Sequence, residues 1–145
     1  MSEETKVKSE SVDLQQLAIW TAVAAVASAV INAILFFVTQ GQFEGAVAAG
    51  QEFTVFPVII VSIVQIVIGG ILLGILDRFL DKPITVWMWI AIIVLVLSFV
   101  QPFMFLDWAE EVEPIAATPF ILVAMHIIAG AITIFLLTTR TRKSA

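Results

Sequence analysis

The sequence contains no cysteine. That excludes disulfides, thiolate metal ligands and thiol redox chemistry, and it leaves the compartment unmarked by cysteine usage. Charge is scarce: Asp, Glu, Lys and Arg make up 13% of the chain, against roughly a quarter in a soluble domain. The net charge of −5 and pI near 4.6 leave no basic patch for nucleic acid. There is one histidine, His126, so a single chain cannot supply bis-histidine haem ligation. No spacing of histidine and carboxylates suits a metal. No carboxylate lies inside an apolar run. That disfavours a proton-coupled exporter of the small multidrug type and keeps any Ser–His–acid set out of the bilayer. No cofactor and no metal are expected, and an enzyme is the least favoured class.

What is present is apolar surface. Of 145 residues 61% are hydrophobic, with a mean hydropathy of +1.08. Four stretches lack Asp, Glu, Lys and Arg: 14–43, 53–76, 83–106 and 114–139. Each exceeds the roughly 20 residues that cross a bilayer. The reading is all-α: a membrane four-helix bundle of four transmembrane helices, at about 17–39, 54–76, 84–106 and 119–138. Residues 1–13 read as a polar surface tail, 14–139 as the transmembrane domain and 140–145 as a basic tail. The first apolar run is too long for a cleavable signal and is expected to stay as the first helix.

Small residues mark expected close contacts. Ala22, Ala25 and Ala29 recur at helical spacing on the first helix with Asn32. Gly69, Gly70 and Gly74 on the second helix and Gly130 on the fourth are candidate packing positions, since small residues let membrane helices approach. Pro83 suits the first turn of the third helix, and Pro102 is expected to kink its end. A short surface helix is expected around residues 45–49.

All seven cations fall at one end of a four-span chain: Lys6, Lys8, Arg78, Lys82, Arg140, Arg142 and Lys143. The positive-inside rule makes both termini cytoplasmic, in the plasma (inner) membrane of a bacterium. Trp87 and Trp89 are expected in the inner aromatic belt, Trp20 near it, and Trp108 in the outer one. The acidic run 107–113 reads as a solvated outer loop.

Each span carries an uncharged polar group or the histidine: Asn32, Gln65, Ser98 with Gln101, and His126. At about 1.5 Å per residue, Asn32, Ser98 and His126 lie about 10–12 Å below the outer end, Gln65 about 16 Å and Gln101 about 8 Å. These five are the candidate ligand-binding residues, a polar layer in the outer half of the bundle. Two readings stay open. In the first the protein is a non-enzymatic accessory or structural component, and the layer is interhelical glue worth about 0.6 kcal/mol per bond. In the second it binds or transports a small lipid-like or neutral ligand in an outer-facing pocket near His126. The partner expected is the lipid bilayer. A homo-oligomer or a larger membrane complex is left open.

The turn at 77–83, the sequence Ser98-Phe99-Val100-Gln101-Pro102 and the pair Met125-His126 resemble an uncharacterised bacterial membrane family, domain of unknown function 6069. The resemblance runs from Leu17 to Leu137. It implies a four-helix membrane protein with no established activity. Ser98, Pro102 and His126 correspond to recurring positions of that family, to which no role attaches.

Overall fold

In the computed structural model the described residues are 9–48, 50–108 and 114–143. The long helices are α1 (Leu14–Val38), α2 (Val55–Phe79), α3 (Pro83–Ser98) and α5 (Thr118–Arg140). Between α3 and α5 lie a short α4 (Gln101–Phe105) and a strand. Four helices, counting α3 and α4 as one path over Pro83–Met104, are long and apolar enough to cross a membrane. The apolar residues surround each helix rather than forming one stripe. Ile34, Ile68, Val94 and Phe135 are all more than half exposed, as expected where lipid covers the outside.

Helix ends follow local chemistry. The Asp13 carboxylate accepts from the N–H groups of Gln15 and Gln16 at 2.9 and 3.0 Å and caps α1. Pro83 and Pro119 sit in the first turns of α3 and α5, where a missing N–H costs nothing. The third span breaks at Phe99–Val100, just before Pro102, and restarts as α4, so the expected kink is a full interruption.

The helices form a ring in the order α1, α2, α3, α5 and back to α1, with α1 the most covered. Glycines set the approach. Gly70 faces Thr21 so closely that an added Cβ would collide with it, and a Cβ at Gly74 would meet Leu17 at 3.4 Å. Gly130 faces Leu95 on α3, where a Cβ would come within 2.7 Å of a methyl. Trp87 turns into the bundle, buried, and its indole N–H donates to the Gly69 carbonyl at 2.8 Å. It therefore faces the bundle interior rather than the outside. Trp89 stays exposed, and Trp20 lies under the Arg140 guanidinium at 5.3 Å.

One end of the ring carries residues 9–13 and 141–143. Residues 9–13, read from sequence as part of a polar tail, are strapped across it. Val12 is buried, bridges to Arg142 and donates its N–H to Asp77 at 3.0 Å. The Glu10 carboxylate accepts from the Thr85 N–H at 3.0 Å and hydroxyl at 2.7 Å, at the start of α3. Burial acts to raise the Glu10 pKa. The Thr85 hydroxyl and N–H and the Arg142 guanidinium outweigh it and hold the carboxyl below its ordinary value.

The other end carries a small antiparallel sheet, in the order β2 (Gln51–Glu52), β1 (Ala46–Ala48), β3 (Leu106–Trp108). It replaces the surface helix expected around residues 45–49. Gly45 adopts φ 76°, which ends the 3-10 turn Gln40–Phe43 and starts β1. Phe43 stacks on Phe53, Phe36 packs tilted against both, and the three cluster with Ala46, Leu106 and Trp108 of the sheet. The rest of the acidic run, residues 109–113, lies outside the described residues.

Candidate functional site

The polar residues of the four spans border two cavities. The first, of about 230 Å³, lies toward the sheet end and is lined by Asn32, Gln65, Gln101 and His126 among apolar side chains. The second, of about 280 Å³, continues toward the termini and is lined by Gln65, Ser98, His126, Trp87 and Thr133. Ser62, Gln65, His126 and Ala129 border both, so the cavities meet at one polar ring. All five sequence candidates line one cavity or the other. Gly69 and Gly130 line the second, while Gly70 and Gly74 face α1 instead.

Hydrogen bonding decides what each polar group can still offer. The Ser62 hydroxyl gives its one proton to the Val58 carbonyl at 2.7 Å. It must therefore accept from Asn32, whose Nδ2 lies 3.0 Å away. That fixes the amide orientation and leaves Asn32 Oδ1 buried without a partner. His126 Nδ1 lies 2.7 Å from the Leu122 carbonyl, an acceptor only, so Nδ1 carries the proton. In the neutral ring Nε2 is then the acceptor. The Ser98 and Thr133 hydroxyls and the Trp87 indole all donate to helix carbonyls.

The expected meeting of the four polar groups is only partly made. Asn32 bonds Ser62, and His126 bonds its own helix. Ser62, which precedes Gln65 by three residues and shares a face of α2 with Gln65 and Gly69 in the sequence, is the partner not counted among the five candidates.

Among the described residues no charged side chain lines the sheet-side cavity. Its exposed lining residues are Pro57, Val61, Gln65 and Gln101. All lie along the seam between α2 and α4, so this cavity opens sideways, where lipid would lie, rather than along the helix axes. The second cavity opens along the same flank, between the exposed Ile68 of α2 and Val94 of α3. Among the described residues no group of three or more His, Asp and Glu side chains is placed to hold a metal ion.

These features define a small multi-pass membrane protein, a four-helix bundle with a polar ring between two cavities. Residues 12–143 match the family of unknown function DUF6069, and the chain belongs to it. No curated protein and no solved structure matches the chain significantly.

Proposed function

We propose that the protein is a non-enzymatic membrane component that binds a small neutral molecule bearing a hydroxyl group in the sheet-side cavity. The observation that carries this reading is the buried, unpartnered Asn32 Oδ1 beside a cavity that His126 also lines. Leaving an amide oxygen unpaired costs about 1–3 kcal/mol by protein measurements, and more against hydrocarbon. A ligand donor offsets that cost. Two acceptors, Asn32 Oδ1 and His126 Nε2, suit hydroxyl protons. An anion would meet lone pairs there, and a cation would find no carboxylate to balance it.

The same chemistry favours a passive role. The Ser62 hydroxyl gives its proton to the Val58 carbonyl rather than to His126, and no charged side chain among the described residues lines the cavity to stabilise a transition state. The charge asymmetry supports an orientation with both termini in the cytoplasm, hence the plasma membrane of a bacterium.

A second reading, structural glue, is favoured by one observation: the Asn32–Ser62 bond ties α1 to α2. It accounts for the Asn32 amino group and leaves its oxygen and His126 Nε2 unused.

The test is native mass spectrometry of protein released gently from membranes, for wild type, Asn32→Leu and His126→Leu. The binding reading expects an added mass on wild type that is lost in both variants. Bare wild-type protein, with an altered subunit count in the variants, overturns it in favour of glue.

A further inference from the structure

We propose that the two cavities form one slot for a single-chain neutral lipid. Its hydroxyl head meets Asn32 and His126, and its acyl chain lies against Trp87. This rests on the binding reading above and names the ligand class.

Three observations carry it. The first is continuity: Ser62, Gln65, His126 and Ala129 line both cavities. Each cavity alone is smaller than the roughly 300 Å³ at which small-molecule sites begin, and joined they fall within that range.

The second is a division of hydrogen-bonding capacity. Asn32, which lines the sheet-side cavity alone, has an Oδ1 with no partner among the described residues, and at the ring the neutral His126, its Nδ1 proton given to Leu122, keeps Nε2 as an acceptor. Below the ring, the polar protons of Ser98, Thr133 and Trp87 are already given to carbonyls. The lower walls are otherwise apolar, with Ile66, Leu72 and Ile90 among them. A molecule polar at one end and apolar at the other matches this division, and a wholly polar solute does not. From His126 to Ile134 the lower part extends about 12 Å along α5.

The third is access. The slot's exposed edges are Gln65 and Ile68 on α2 facing Val94 and Gln101 on the third span. A lipid enters along that seam without leaving the bilayer. Small residues, Gly69, Ala91 and Ala129, line the lower cavity.

The experiment reads Trp87 fluorescence in nanodiscs, with Trp20, Trp89 and Trp108 replaced by Phe. The probe is a monoacylglycerol brominated at mid-chain, compared with phosphatidylcholine brominated at the same depth. The proposal expects saturable quenching by the monoacylglycerol, at least twofold beyond that by phosphatidylcholine at equal mole fraction. Unbrominated monoolein should reverse it, and Ala91→Leu, which fills the slot, should abolish it. Monoolein competition gives the answer without any cavity substitution. Equal quenching by both lipids overturns the proposal and makes the seam a general lipid contact. If native mass spectrometry shows monoolein bound but Trp87 is unquenched, the head site stands and the acyl slot falls. If monoolein neither binds nor quenches, while another neutral mass is retained, the ligand class is wrong. If no mass is retained at all, the binding reading fails with it.

Discussion

Asn32 Nδ2 donates to Ser62 Oγ at 3.0 Å, and the same hydroxyl donates onward to the Val58 carbonyl. The relay joins α1 to α2 in a buried place, and its direction is forced because serine has one proton. Ser62→Ala removes the acceptor and strands an amide N–H. Asn32→Ala removes the donor and leaves Ser62 still satisfied by Val58. Ser62→Ala is therefore the costlier single change. A double-mutant cycle on thermal unfolding in detergent should give a coupling of about 0.6 kcal/mol, and no more than about 2. Additive effects would show that the bond contributes nothing.

Gly70 and Gly69 are neighbours with opposite tolerance. A Cβ at Gly70 would collide with the Thr21 side chain, whereas one at Gly69 would meet Trp87 at an ordinary 3.7 Å. Gly70→Ala should destabilise by about 1–3 kcal/mol through overpacking. Gly69→Ala should be near neutral, since alanine also restricts the unfolded chain. Thr21→Ala should recover most of the Gly70→Ala loss. Melting temperatures of the four variants check this, and equal losses at both glycines would contradict it.

The spans were legible in the sequence because their signal is composition over some twenty residues, which no tertiary contact has to decide. The kink at Pro102 was legible for a similar reason, a missing N–H. The strap at Ser9–Asp13 was not. Its hydrogen bonds reach Asp77, Asp81, Thr85 and Thr141, and pairings across such separations leave no periodic trace. The sheet was hidden too, since its strands are two or three residues long. At the candidate site the sequence offers polar residues and not their partners. A histidine in an apolar run announces a need for a partner. Which carbonyl or cavity meets it depends on rotation about the helix axis, and an all-round apolar helix does not encode that rotation.

Glu10 links stability to pH. Its folded-state pKa is lowered from the ordinary 4.5, so folding favours the ionised form. The Thr85 and Arg142 contacts therefore contribute in full above about pH 5 and are lost as pH falls through the lowered pKa. Thermal stability should fall from about pH 4.5 downward, and Glu10→Gln should flatten part of that fall while lowering stability at pH 7. Arg142→Gln should do less, because the pair is 3.9 Å apart and Arg142 is 58% exposed. An acid limb unchanged in Glu10→Gln would assign it to other carboxylates.

The absence of cysteine makes orientation directly measurable, because one introduced cysteine is the only thiol present. Glu44 is exposed near the sheet and Lys143 is exposed beside the other end. Among the described residues the cations Arg78, Lys82, Arg140, Arg142 and Lys143 share the Lys143 end, while the acids Glu44, Glu52 and Asp107, with no cation, share the Glu44 end. Moving short, cation-bearing segments across a membrane is disfavoured, whereas acids weigh little in that choice. In intact cells a membrane-impermeant maleimide should therefore label Glu44→Cys and spare Lys143→Cys until the membrane is broken. The reverse pattern would put the sheet inside. Labelling of both in intact cells would mean a dual orientation, in which case the lateral slot would draw on both leaflets.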